Sequence, residues 1–488
     1  AVLSELGFCE RANRDFTRAL ELNPQNAEGF YNYGNFLDED NLLPQALASY
    51  EQAIRLKPDY FAAHYNHGRT LAKLDRLRDA LTSYERALLL NPHHADTHYN
   101  KGVIFIQMGR ADQAVISFNA AYAIDKDLPY LRGFRIYAKS RCHDWAEFDA
   151  DLADLKAAVE AGKVAAMPFA FLSVTDSSED YLRLARAFSN EGKTRYRDVA
   201  LAPTKRDQSR IRVGYISADF RDHPIAQAMS SILERHDRAQ FEIIGVAIGP
   251  TDKSDVAQRM MAGCDRFHDL YGHGPQDIGQ FLKDLDLDLL LVTAVHTEYS
   301  NVGLFVERYA PVQVNFLSAW SSGCDFFDYM VADPRCVLDD DKSAYSEKIV
   351  SVRGFLSDQS QVISANKPSR QDCGLPAEAF VYCCFNDHYK INPQVFDSWM
   401  NILRKADGSV LWLKDNAYGR DRLRAEAVKR GIDPERLIFA PRTASISDHL
   451  ARLDLADLTL DTLPYGGHTT MRDSVSYTHL TLPTILLV

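Results

Sequence analysis

Residues 24–57, 58–91 and 92–125 read PQNAEGFYNYGNFLDEDNLLPQALASYEQAIRLK, PDYFAAHYNHGRTLAKLDRLRDALTSYERALLLN and PHHADTHYNKGVIFIQMGRADQAVISFNAAYAID. Aligned, they keep one register. Pro24, Pro58 and Pro92 open the three lines, and Tyr31, Tyr65 and Tyr99 and then Gly34, Gly68 and Gly102 follow at the same steps. Ala46, Ala80 and Ala114, then Tyr50, Tyr84 and Phe118, then Ala53, Ala87 and Ala121 complete the set. Ala12, Phe16 and Ala19 carry the register backwards, and Lys126 stands where the next proline would fall, so the regular array is expected to end near there. Glycine and alanine let paired helices approach closely, and the aromatic residues fill the space between neighbouring pairs. Proline stops one helix and starts the next because it lacks an N–H and clashes with a preceding turn. Such a pair cannot bury its apolar face alone, so the pairs stack into a solenoid.

A 34-residue period with this punctuation is the tetratricopeptide pattern. Asn32, Asn66 and Asn100 share the step, two residues before each glycine. That puts an asparagine on the first helix of each pair, the helix that lines the concave face of such solenoids. An amide side chain carries donors and an acceptor, so it holds a peptide backbone whatever the peptide's sequence. Hydrogen bonding between repeats is the plainer use of the same residues.

The chain has 488 residues, 46% hydrophobic and 25% charged, which excludes a disordered or collagen-like polymer and leaves room for about three to four domains. No run of about 18 apolar residues predicts a membrane span, and the opening AVLSELGFCERANRDF has no signal-peptide pattern. A net charge of −12 argues against non-specific nucleic-acid binding. The eight cysteines form no CxxC pair and read as reduced thiols. A cytoplasmic protein without membrane or nucleic-acid partners is expected.

Residues 131–207 read as a helical region that has lost the period, ending in the polar stretch LAPTKRDQSR. From 208 the pattern changes. IRVGYIS, FEIIGVAI, LDLLLVTAV, VQVNFL, DYMVAD and KIVSV are short β-rich runs, and AFVYCCF, SVLWLK, RLIFAP and LADLTLD form a second series. Helical or loop segments separate them, which predicts parallel sheets covered by helices. Two Rossmann-like units follow, over 208–365 and 366–475, after a repeat domain over 1–130. Ligands of such sheets bind at the carboxyl ends of the strands.

The candidate chemistry sits at those ends. His223 follows the first strand of the first unit, in RVGYISADFRDHP; Lys390 follows the first strand of the second, in VYCCFNDHYKINP. Asp461 ends a strand in LTLDTLPYGGHTT, and Gly466, Gly467, His468, Thr469 and Thr470 form a glycine-rich turn expected to enter a helix. Backbone N–H groups at a helix start, with two hydroxyls, suit an anion. A lysine facing the same cleft pairs with a diphosphate as a point charge, and Asp461 could accept hydrogen bonds from a ribose diol. Taken singly, each has a plainer use: a turn, a structural histidine, a solvated lysine. Asp284, Asp286 and Asp288 alternate like a metal-binding DxD motif but read better as polar residues leading into a buried strand, and Asp339, Asp340 and Asp341 read as a solvated loop. No Cys/His cluster has zinc spacing.

Together, RVGYISADFRDHP, RYAPVQVNFLSAW, YSEKIV, CCFNDHYKINP, SVLWLK, DHLARLDLADLTLDT and GGHTT resemble the bacterial, SPINDLY-like O-linked N-acetylglucosamine transferases, over residues 1–473. The resemblance implies a tetratricopeptide superhelix followed by an α/β GT-B fold, and an inverting, metal-independent enzyme without a cofactor that moves GlcNAc from UDP-GlcNAc to Ser or Thr of proteins. It implies a catalytic role for His223, in the family's HP motif, and stabilisation of the leaving diphosphate by Lys390. Asp387, His449, Asp461, His468, Thr469 and Thr470 would contact the nucleotide sugar, and Asn32, Asn66 and Asn100 match a ladder that holds the acceptor protein.

The chain departs from the family at Asp387, where an amide is usual, at His296 in VTAVHTEYS, where the local match is imperfect, and in three longer stretches. HPIAQA puts Gln227 where a second histidine is usual, AWSSG (319–323) replaces YPGTSG in a loop lining the active site, and after GGHTTMRDSV the family pattern gives way to SYTHLTLPTILLV. Residues 476–488 therefore read as a non-native tail and the second Rossmann unit as incomplete. A transferase using GDP-fucose or UDP-glucose, and a non-catalytic repeat scaffold with a degenerate transferase domain, are the alternatives.

Overall fold

The structure, a computed structural model, describes residues 2–193, 210–293, 295–296, 304–305, 307–318, 320–334, 336–337, 339–353, 363–467 and 470–471. The chain divides into two compact units, residues 1–139 and 140–488.

The first unit is all helix: α1 (Val2–Leu22), α2 (Ala27–Glu39), α3 (Leu43–Leu56), α4 (Phe61–Lys73), α5 (Leu77–Leu90), α6 (Ala95–Gln107), α7 (Ala111–Ile124) and most of α8 (Leu131–Arg141). The three quoted repeats are the pairs α2/α3, α4/α5 and α6/α7, with each repeat proline in the turn before its pair. The glycine step has a direct cause. A Cβ on Gly34, Gly68 or Gly102 would stand 2.6, 2.7 or 2.5 Å from the ring of Tyr50, Tyr84 or Phe118. These rings are fully buried, and Ala46, Ala53, Ala80, Ala87, Ala114 and Ala121 are buried with them. The asparagine step is partly occupied: Asn66 donates to Tyr31 Oη (3.2 Å) and Asn35 Oδ1 (2.8 Å), and Asn100 to Tyr65 Oη (3.1 Å), while Asn32 is exposed.

The second unit opens with α9 (Phe148–Glu160), α10 (Pro168–Phe171) and α11 (Ser178–Lys193). A first α/β layer follows: β1 (Ile211–Ser217), α12 (Pro224–Glu234), β2 (Phe241–Ala247), α13 (Asp255–Ala262), β3 (Arg266–Asp269), α14 (Pro275–Asp284), β4 (Leu289–Thr293), β5 (Val312–Phe316), β6 (Tyr329–Ala332) and β7 (Lys348–Ser351). Its sheet runs β3-β2-β1-β4-β5-β6-β7, with every pair parallel. The second layer holds β8 (Val381–Cys384), α15 (Pro393–Lys405), β9 (Val410–Lys414), α16 (Arg420–Lys429), β10 (Leu437–Ala440), α17 (Ile446–Leu453) and β11 (Leu458–Thr459), in the parallel order β10-β9-β8-β11.

Parallel strands buried on both faces need continuous apolar runs, and every stretch read as a strand forms one. Two apolar clusters pack about the first sheet, one with Ile216, Ile244 and Leu290 and one with Val213, Ile243 and Val314; the second sheet has a matching pair, one with Trp399 and Leu411 and one with Val381 and Trp412. The sequence reading missed β3, whose residues RFHD sit at the sheet edge and carry no apolar run. Asp288 accepts from Arg212 N (2.8 Å) and so ties the approach to β4 to β1, while Asp284 accepts from Gln280 Nε2 (2.8 Å) within α14. Asp339, Asp340 and Asp341, expected in a loop, open a 3₁₀ helix over Asp339–Ala344.

Candidate functional site

In each sheet the strand order reverses beside the first strand, at β1/β4 and at β8/β11. The crevice at such a reversal is where doubly wound sheets bind ligands. Lys390 and Asp461 follow β8 and β11, the two strands flanking the second reversal.

Residues 386–392 make a turn with a short 3₁₀ segment at His388–Lys390, ended by Asn392, which caps α15 through Val395 N (2.9 Å). Lys390 Nζ donates to Gly466 O at 2.8 Å and lies 3.8 Å from the centre of the Tyr465 ring. Burial pushes this amine down to about 8, although the carboxylates of Asp461 and Asp387 and the Cys384 thiol favour its charged form. Asp461 Oδ1 accepts three hydrogen bonds: from Asn386 Nδ2 (2.8 Å), Thr462 N (2.8 Å) and Gly467 N (2.7 Å). It therefore shapes the glycine turn. Gly467 has no alternative, because a Cβ there would stand 2.3 Å from Asn386 Oδ1. Thr470 begins the last described helical turn, its N–H donating to Gly467 O (2.7 Å). His468 and Thr469 lie outside the described residues, as does the stretch 476–488.

Asp387 stands between two cations, 3.7 Å from Arg141 and 3.6 Å from Lys414. Burial works against its charge, but Lys414, Arg141 and a hydrogen bond from the His388 backbone hold the carboxyl below the usual range. His449 is half-buried, with its ring 5.3 Å from that of Phe385, the residue after β8. Its Nδ1 accepts from Arg452 (2.9 Å), which fixes the neutral ring's hydrogen on Nε2, and burial together with Arg452 and Lys414 pushes it down to about 4. His223 belongs to the other sheet and stands at the start of α12, its Nδ1 3.3 Å from Ile225 N and 3.4 Å from Asp219 Oδ2. Among the described residues no hydrogen bond or ion pair joins it to the Lys390 group.

Sequence reasoning overlooked several residues that build this site. Asn386 also donates to Thr462 Oγ1 (2.8 Å), and Asn392 donates to Leu463 O (2.7 Å), so two amides of one motif hold the DTLPYGG loop. Both stand in the quoted CCFNDHYKINP, where a buried asparagine beside a turn is the available signal. His388 was overlooked as well. Its Nε2 lies 2.6 Å from Lys414 O, an acceptor, so that nitrogen carries the hydrogen; Nδ1 then accepts from His143 Nε2 at 2.8 Å. His143 Nδ1 is left buried without a partner. Burial lowers both imidazoles, so the pair is neutral and ties residues 141–145 to the turn that carries Lys390. Asn416 donating to Arg141 O (2.7 Å) and Arg422 to Cys142 O (3.2 Å) fasten the same segment.

The sequence matches glycosyl transferase family 41 over residues 193–367 and 357–486, more than half of its length. The chain belongs to this family. Tetratricopeptide repeat families match residues 16–48, 40–75 and 65–129. An Arabidopsis thaliana protein described as a probable UDP-N-acetylglucosamine–peptide N-acetylglucosaminyltransferase SEC is 33% identical over 282 residues, covering 56% of this chain and 29% of the relative. A Caenorhabditis elegans UDP-N-acetylglucosamine–peptide N-acetylglucosaminyltransferase is 25% identical, over 54% of this chain and 33% of the relative. The chain thus spans about three tenths of the length of these curated relatives. A mutant of the Thermobaculum terrenum O-GlcNAc transferase shares the fold, with a TM-score of 0.61 at 22% identity over 92% of this chain and 80% of that one. Among the described residues no helix is long and apolar enough to cross a membrane, and no group of three His, Cys, Asp or Glu side chains could hold a metal ion.

Proposed function

We propose that this family 41 protein is an inverting protein O-glycosyltransferase that moves GlcNAc from UDP-GlcNAc to Ser or Thr hydroxyls. The observation that carries this reading is Lys390, a half-buried cation held against Tyr465 and the glycine turn at the strand reversal of the second sheet. As the glycosidic bond breaks, the diphosphate gains charge, and a preorganised cation with backbone N–H groups at a helix start stabilises that charge. Lys390 supplies it without a metal. In this reading the ribose contact falls to Asp461 Oδ2, since Oδ1 already serves the turn, and His449 offers its Nε2–H. The names of the relatives support a UDP-GlcNAc donor and a peptide acceptor. The repeat unit would hold the acceptor, with exposed Asn32 and the amide oxygen of Asn100 as points of contact.

Titration of UDP, GDP and UDP-GlcNAc against the whole chain by calorimetry, in EDTA, tests the donor site. The expected result is binding of UDP and UDP-GlcNAc at least tenfold tighter than GDP. GDP binding as tightly, or binding that needs an added divalent ion, would overturn the UDP-specific, metal-independent reading. No nucleotide binding at all would favour the scaffold.

A further inference from the structure

The first sheet holds a carboxylate that nothing above uses. Asp219 lies in the turn after β1, 1% exposed. Its Oδ1 accepts from Arg221 (3.3 Å), and its own N–H donates to Ser217 Oγ (3.0 Å). Its Oδ2 is buried and has no hydrogen-bond partner. A buried carboxylate oxygen without a donor is costly. The group poised to relieve it is His223, whose Nδ1 stands 3.4 Å from Oδ2.

Two demands therefore meet at one nitrogen. With the ring hydrogen on Nε2, Nδ1 accepts from Ile225 N (3.3 Å) and caps α12, and Asp219 Oδ2 stays bare. With the hydrogen on Nδ1, the ring donates to Asp219 and the cap is lost. A hydrogen bond to a carboxylate is the stronger of the two, so the second tautomer wins. We propose that Asp219 is a positioning residue that holds His223 in its Nδ1–H tautomer and leaves Nε2 as the bare nitrogen that takes the acceptor hydroxyl's proton.

This rests on the transferase reading above, and the step balances. The hydroxyl oxygen bonds to the anomeric carbon, and the bond from that carbon to the diphosphate oxygen breaks with its electron pair leaving on UDP. The hydroxyl proton passes to His223 Nε2. The resulting imidazolium keeps its Nδ1–H on Asp219, whose charge balances it, as the aspartate of a Ser-His-Asp triad does. The charged groups facing His223 are Asp219, Arg221 and Asp222. Burial lowers the imidazole and Arg221 adds to that, while Asp219 and Asp222 oppose it, so removing the Asp219 charge removes the largest support for the cation.

The test is ¹H–¹⁵N spectroscopy of the whole chain labelled at histidine, with His223 assigned by the signal lost in His223→Gln. The wild type is expected to show the Nδ1–H tautomer. In Asp219→Asn the amide donates to Nδ1 instead, so the ring should switch to Nε2–H and bind its proton at least tenfold more weakly. In transfer assays kcat should fall a hundredfold or more, with the donor KM within twofold. An Nε2–H ring in the wild type overturns the proposal without any variant, and so does an unchanged tautomer in a folded Asp219→Asn. If no form of the chain transfers sugar, the transferase reading fails, while the tautomer result still decides the pairing.

Discussion

Lys390→Ala is expected to lower sugar transfer roughly a hundredfold to a thousandfold, the usual cost of removing one preorganised group from a developing anion, and to weaken UDP binding at least about tenfold. The pH dependence gives the sharper test. The free amine titrates at about 8, so the cation that meets the diphosphate is complete below that pH and disappears above it. UDP affinity of the wild type should therefore fall as pH rises through about 8, and Lys390→Ala should show no such limb. Stability should move the other way. The unfolded lysine, near 10.5, holds its proton where the folded one has lost it, so unfolding takes up a proton at this site between about 8 and 10.5 and the contribution of Lys390 to stability rises with pH across that window, read as the wild type's stability minus that of Lys390→Ala. Binding that weakens while this difference grows separates loss of the cation from loss of the fold. A wild-type UDP affinity that is flat from pH 7 to 9.5 would remove Lys390 from the diphosphate site.

The parts of this molecule legible in its sequence are those set by local rules. The repeat was readable because each Gly34-type position must face a Tyr50-type ring, a demand renewed at every pair. The sheets were readable because strands buried on both faces cannot hide their apolar runs, and β3 escaped because it lies at an edge. Lys390 and Asp461 were readable as residues just past strands, and the structure sets them on the two sides of one strand reversal. Pairings across long stretches of chain were not readable. His143 and His388 are 245 residues apart, and neither position marks the other. Nor did the sequence show that Asn66 and Asn100 already donate hydrogen bonds between repeats, because a helical period places a side chain without naming its partner.

The largest stability loss is expected from Glu347→Ala, and the reason joins two motifs that the sequence presented separately. Glu347, in YSEKIV, is 5% exposed. Its Oε1 accepts from Asn315 Nδ2 (3.0 Å) and Ser322 N (2.7 Å), and its Oε2 from Ser321 Oγ (2.7 Å) and Ser346 Oγ (3.0 Å). Residues 320–323 are thus built around this carboxylate. Ser322 O in turn accepts from Ser189 Oγ (3.0 Å) and His296 Nε2 (3.0 Å), and burial pushes His296 down to about 4, so it stays a neutral donor. Gly323, at φ +67°, completes the turn, and a Cβ there would stand 2.4 Å from the Ala185 backbone. Alanine at 347 removes the acceptor of four buried or half-buried donors, which should cost about 3–5 kcal/mol and lower the melting temperature of this large unit by roughly 4–7 °C. Glutamine is the informative contrast. Its carbonyl keeps Asn315 and Ser322, Ser346 Oγ can turn to accept from its amide, and Ser321 Oγ, which already accepts from Gly323 N and Ser346 N, can donate to Ser346 Oγ instead, so Glu347→Gln should cost only about 1–2 kcal/mol. Equal melting of the alanine and glutamine variants would mean that the carboxylate does not organise the loop. The predicted gap between them would show that residues 320–323, despite departing from the family's usual YPGTSG, are held in one arrangement beside the β1/β4 crevice.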